Sequence, residues 1–147
     1  MGGNFRLDAL QAAVLRVKLP HVESWIDDRR ANADHYRRLF GHADLEGAVQ
    51  LPKALPGRGH TFNQYVVRAA RRDELRAFLE ERGIGAAVYY PLPLHLQRCF
   101  ADLGHSEGDF PVAERASREV LALPVFPELD ASEQEEVVAA IVEFYAG

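Results

Sequence analysis

Apolar residues recur along the chain at helical period first and at strand period later. Leu10, Val14 and Val17 fall at i, i+4 and i+7, one face of a helix. Asp8 stands where an N-cap would, with Gln11 at the third helical position, a variant of the capping box. Pro20 lacks an N–H and clashes with the preceding turn, which predicts an interruption or kink there. Helical spacing resumes through Val22, Trp25 and Ile26, and continues with Ala33, Tyr36 and Phe40 on one side. Gly41 to His60 is rich in glycine and proline and reads as a loop with a short extended piece. "TFNQYVVRA" (61–69) has strand composition. "RRDELRAFLEERG" (71–83) is a compact helix with Leu75, Phe78 and Leu79 on one face and Gly83 as its left-handed stop. "IGAAVYY" (84–90) reads as a second strand; a right-handed crossover and antiparallel neighbours both remain open.

Beyond a proline turn at Pro91 and Pro93, a helix is expected from about His95 to Leu103, stopped by Gly104. The stretch "GDFPVAERASREVLAL" (108–123) predicts another, with Asp109 as cap, Pro111 in the first turn, and Val112, Ala116 and Val120 at four-residue spacing. "LPVFPEL" (123–129), twice interrupted by proline, fits an edge strand or a loop. Ser132 and Glu135 form an S-x-x-E capping box before a helix whose Val137, Val138, Ile141, Val142 and Tyr145 face inward. The pattern predicts one domain over residues 1–147 of α+β class (an α/β-type small domain), a small sheet covered by helices with a long kinked leading helix.

Composition removes several function classes. A formal net charge of −5 argues against a nucleic-acid binder. No apolar run reaches a membrane span, and the start shows no basic-then-apolar leader, so a cytoplasmic location is expected. The single cysteine, Cys99, cannot form an intrachain disulfide, no Cys/His spacing suggests zinc, and the residue is expected to be a small buried hydrophobe.

Three places hold polar groups that local structure does not demand. In "GGNFRLD", Asn4 and Arg6 before a helix suit an anion, or the segment is a frayed terminus. Asn63 and Gln64, amides in a strand-forming run, line a cleft or face water on an edge strand. Tyr89 and Tyr90 precede the proline turn, and alternation predicts one buried and one displayed phenol. His95, opening a helix, would be a neutral donor or acceptor. A tyrosine packed in the core stays open as the alternative, and no nucleophile–base set or phosphate loop identifies a reaction.

Five motifs in order, "GxNxRLDxLQAAxLxxKL", "HxxNQYVVR", "RGIGAAVYYPLPLHLQ", "GDFPVAE" and "EVLALPVFPEL", resemble the C-terminal portion of the DegT/DnrJ/EryC1/StrS aminotransferases. The resemblance covers essentially the whole chain. It implies the small domain of a fold type I enzyme that uses pyridoxal 5'-phosphate (PLP) to transaminate keto sugars attached to nucleotides. The "NQYVVR" and "YYPLPLHLQ" forms are similar to members acting on 3-keto sugars. By the resemblance, Asn4 reaches the cofactor phosphate of a neighbouring subunit, Arg6 anchors the anionic substrate, and Tyr89, Tyr90 and His95 face the sugar and nucleotide. It also implies that the lysine-bearing, cofactor-binding domain is absent, because Lys18 and Lys53, the only lysines, lie in a helix and a loop without a cofactor setting. The chain alone is then expected neither to hold PLP stably nor to transaminate. Two alternatives accompany this reading: a non-catalytic sugar-nucleotide-binding or regulatory domain, and a 4-keto-sugar enzyme. Leu7, Leu10, Val14 and Trp25 are expected to be exposed and to drive homodimer formation.

Overall fold

The computed structural model describes residues 6–45 and 47–147. Its first helix, α1 (Ala9–Lys18), begins where Asp8 accepts a hydrogen bond from the Gln11 N–H at 2.8 Å. Pro20 lies in a single 3₁₀ turn, Leu19–His21, which joins α1 to α2 (Val22–His42). The missing proline donor thus tightens the chain locally without ending the helical run. Ala33, Tyr36 and Phe40 are the buried face of α2, as their spacing predicts.

Among the described residues the sheet has three antiparallel strands in the order β1 (Val49–Gln50), β2 (Tyr65–Ala69), β3 (Val120–Leu123). In β2, Tyr65, Val67 and Ala69 are buried, and Val66 and Arg68 between them are half-buried. The alternation is that of a central strand covered on both sides. Helix α3 (Arg72–Glu81) follows, ended by Gly83 at φ 75, then α4 (Pro111–Glu119) and α5 (Ala131–Ala146). The core gathers Tyr36, Tyr65, Leu75, Leu79, Leu121 and Ile141 where α2, α3 and α5 meet the sheet. Burial pushes the Tyr65 phenol up to about 12 and raises that of Tyr36 further still, so both are neutral.

Several boundaries differ from the pattern reading. "IGAAVYY" forms no strand: it makes one antiparallel bridge, Ala87 with Ala122, closed by hydrogen bonds of 3.1 and 2.7 Å. Because β3 already lies between β2 and this bridge, Ala87 runs parallel to β2 across it. The fourth helix stops at Glu119, and "VLAL" is β3. Three of its four residues are buried, and a short all-apolar run covered on both faces serves a strand as well as a helix. The segment expected as a helix from His95 to Leu103 is two 3₁₀ stretches, Leu94–Leu96 and Arg98–Leu103, ended by Gly104 in the left-handed region. Helix α5 is capped two residues early: Asp130 is the N-cap and Glu133, not Glu135, completes the box. Asp109 does not cap α4; its carboxylate accepts from the Ser106 N–H instead. Cys99 is exposed, not buried.

Candidate functional site

Residues 63–64, 85–87, 89 and 122–125 surround an open concavity of about 400 Å³. Asn63, Gln64 and Tyr89 contribute polar side chains to it, and among the described residues no charged one lines it. Asn63 and Gln64 therefore do not sit on an edge strand. They occupy the turn leading into β2, the central strand, and both are exposed. That turn is held from below. Phe62 is buried at φ 46, a left-handed conformation rare for a bulky residue. Its N–H donates to His60 Nδ1 at 2.9 Å.

Helix α2 supplies the clamp. Arg29 Nη1 donates to the carbonyl of Val125 at 2.8 Å and, at 3.4 Å, to those of Phe62 and Asn63. One guanidinium thus ties the two walls of the concavity together. Asn32 donates to the Phe126 carbonyl at 2.7 Å and the Tyr36 hydroxyl to that of Pro124 at 3.0 Å. Positions 29, 32 and 36 share one helical face, and their targets are the carbonyls of an irregular segment that no ladder satisfies. Sequence reading overlooked Arg29 and Asn32; the available signal was polar residues on the same side of α2 as Tyr36.

The tyrosine-bearing turn forms the rim. Tyr89 is 43% and Tyr90 71% exposed, with their rings edge to face at 5.8 Å. Neither phenol is buried, contrary to the alternation expected of a strand, because pairing is limited to the bridge at Ala87. Pro91 and Pro93 follow, then the 3₁₀ turn that carries His95.

His95 points inward. Its side chain is 8% exposed, and its Nε2 lies 3.0 Å from Oε1 of Glu114 on α4. The same carboxylate accepts from the N–H of Gly108 at 2.9 and 3.0 Å and from that of Phe110 at 3.1 Å. Burial by itself pushes the Glu114 carboxyl up, but the two backbone N–H groups and His95 outweigh it and hold it below the usual carboxylate range. An ionised carboxylate only accepts, so His95 Nε2 carries the hydrogen. Phe110 completes the cluster, its ring 4.8 Å from that of His95 and 4.9 Å from that of His105. The buried face of α4 is thus Glu114 and Ser117, while Val112 is exposed.

Tyr89, Tyr90 and His95 share one segment, though His95 engages Glu114 and Phe110 and not the phenols. Arg6 is exposed on a separate segment ahead of α1, and Asn4 lies outside the described residues. Among the described residues no helix is long and apolar enough to cross a membrane, and no cluster suits a metal ion.

A family model for the DegT/DnrJ/EryC1/StrS aminotransferases matches residues 1–142. A Geobacillus stearothermophilus protein named "Pleiotropic regulatory protein" is 53% identical over 145 residues, covering 99% of this chain and 39% of that one. The dTDP-3-amino-3,4,6-trideoxy-alpha-D-glucose transaminase of Streptomyces venezuelae is 42% identical over 143 residues, covering 97% and 37%. The crystal structure of S. venezuelae DesV in complex with a ketimine intermediate superposes with a TM-score of 0.88 at 38% identity, over 97% of this chain and 38% of that one. The chain therefore spans about two fifths of the length of the curated relatives it matches.

Aminotransferases of this kind depend on PLP, which is bound through a lysine and a phosphate site. Lys18 is exposed in the last turn of α1, Lys53 is exposed in the loop after β1, and the concavity beside Tyr89 holds no cation for a phosphate. What the fold does present is an uncharged concavity with amide and phenol groups at its edge. Fold, motifs and matches agree, and the chain belongs to the DegT/DnrJ/EryC1/StrS aminotransferase family.

Proposed function

We propose that residues 1–147 form the small, C-terminal domain of a PLP-dependent aminotransferase that places an amino group on a nucleotide-linked 3-keto sugar in the cytoplasm. The observation that carries the reading is the 42% identity, along almost the whole chain, to a transaminase whose named product bears its amine at carbon 3. An amine installed there by transamination requires a ketone at the same carbon. PLP, held by the lysine-bearing part of the intact enzyme, would supply amine transfer from a donor such as glutamate.

This chain's own residues bind and orient. Tyr89 and Tyr90 face the sugar and nucleotide, their phenols donating to hydroxyl or carbonyl oxygens while their rings cover apolar edges. His95 borders the same ligand by the small edge it leaves exposed. Arg6 meets the diphosphate, whose charge the uncharged concavity cannot match. Asn4 reaches the cofactor phosphate of a neighbouring subunit, which makes the working unit a homodimer.

A regulatory, non-catalytic role is favoured by one observation, the name of the Geobacillus relative. Steady-state kinetics on the polypeptide carrying this sequence separates the two. Tyr90→Ala is expected to raise KM for a 3-keto dTDP- or UDP-sugar about tenfold or more, the loss of one well-placed contact, with the PLP absorbance band unchanged. A wild-type polypeptide that binds such a sugar without PLP absorbance or turnover would sustain the regulatory reading instead.

A further inference from the structure

No residue from Tyr89 to Phe110 is buried as a whole, and none belongs to the apolar core. The segment that presents both phenols therefore adds no side chain to the apolar core. Among the described residues, every hydrogen bond between residues 89–110 and the rest of the chain involves Glu114. The carboxylate takes the His95 imidazole and the N–H groups of Gly108 and Phe110, and the Glu114 N–H itself donates to the Phe110 carbonyl at 3.0 Å. Glu114 is 4% exposed, an unusual depth for a carboxylate, which is tolerated only when its oxygens are fully met by donors.

We infer that Glu114 is a positioning residue for the substrate-facing turn, acting through His95 on one side and through the Gly108 and Phe110 amides on the other. The inference rests on the reading in which Tyr89 and Tyr90 face the substrate. Its physical content is preorganisation. A segment held by one charge-assisted cluster keeps its two phenols in place before the ligand arrives, so less ordering entropy is lost on binding. Glu114 meets the N–H of Phe110, the N-cap of α4, and also reaches groups outside the helix. The first turn of α4 starts with Pro111, and Glu114 bends back beyond that turn to reach loops on both sides.

The alternative is that Glu114 merely stabilises the fold, and amide hydrogen exchange distinguishes the two. In Glu114→Gln the side chain keeps its size but loses its charge: one neutral amide oxygen must serve the three donors that meet at Oε1, and an NH₂ replaces Oε2 opposite the Gly108 N–H, so the cluster loosens. The expected result is exchange about tenfold faster or more at Gly108, Phe110 and residues 94–97, with β2, β3 and α5 unchanged. Equal acceleration throughout, or none in the segment, overturns the inference. His95→Phe, which preserves the ring and removes only the imidazole link, guards against a variant that does not fold. It should speed exchange at residues 94–97 while Gly108 and Phe110 stay protected, and unchanged exchange at 94–97 overturns the inference equally.

The exchange experiment needs no substrate. Its failure is thereby separate from failure of the proposed function. In the polypeptide carrying this sequence, Glu114→Gln is expected to raise KM for the nucleotide-linked sugar with kcat and PLP absorbance kept, and Glu114→Asp to restore part of the loss. A loosened segment with KM unchanged would keep Glu114 as the anchor and overturn the assignment of Tyr89 and Tyr90 to the substrate.

Discussion

Glu114 shows how a side chain can be charged and buried at once. Desolvation favours its neutral form, yet donors from Phe110, Gly108 and His95 favour the carboxylate more strongly, and the balance falls below the ordinary value of 4.5. The other titratable groups of the cluster are His95, His105 and Asp109; the Asp109 carboxyl is itself lowered, first by the Ser106 N–H and also by His105. A depressed carboxyl contributes stability that is complete above its unfolded value and is lost as pH falls through the lower folded one. Amide protection at Gly108 and Phe110 should therefore persist while pH falls through the ordinary carboxylate range and be lost only at more acidic pH; protection lost already above the ordinary carboxylate range would contradict the ionised cluster. Arg29 is the corresponding device on α2. Arg29→Ala leaves the Val125, Phe62 and Asn63 carbonyls without their donor, and is expected to cost about 1–3 kcal/mol by denaturant unfolding.

Elements were legible where a local signal stood alone. Asp8 capped α1 as read, Pro20 tightened one turn, and Gly83 and Gly104 took left-handed positions that terminate their segments. The misread boundaries share a cause: the same residues satisfy two local rules, and tertiary contacts choose between them. Val120–Leu123 could extend α4 by its apolar spacing, but β2 on one side and Ala87 on the other draw it into the sheet. Asp130 outcompetes Ser132 as the cap because both halves of its box close, the Asp130 side chain onto the Glu133 N–H and Glu133 back onto the Asp130 N–H. Asp130→Ala should lower stability by about 1 kcal/mol and Ser132→Ala by much less; equal losses in thermal melts would contradict that cap. Phenols and imidazole were visible as candidate chemistry, whereas their support was not. Arg29 lies 96 residues from the Val125 carbonyl it holds and Glu114 19 residues from His95, separations that no local pattern reports.

At the scale of the molecule, the core and the candidate site occupy different parts of one small fold. Ile141, wholly buried among the helices and the sheet, should cost about 2–5 kcal/mol when cut to alanine, with Tyr89 and Tyr90 as exposed as before. Helix α1 stands apart: it has no buried residue, and Leu10, Val14, Val17 and the flanking Leu7 and Leu19 are exposed, while Trp25 on α2 is half-covered. So continuous an apolar face favours association. Light scattering at high micromolar concentration should show a dimer or larger species, and Leu10→Ser with Val14→Ser should shift it toward monomer; a wild-type monomer would contradict the dimeric unit. The most direct test of the whole account follows the nitrogen. The polypeptide carrying this sequence, supplied with PLP, nitrogen-labelled glutamate and a dTDP- or UDP-linked 3-keto sugar, should yield a sugar with the label on carbon 3. Label on carbon 4 from a 4-keto sugar alone, or no transfer from either, would contradict the 3-keto aminotransferase.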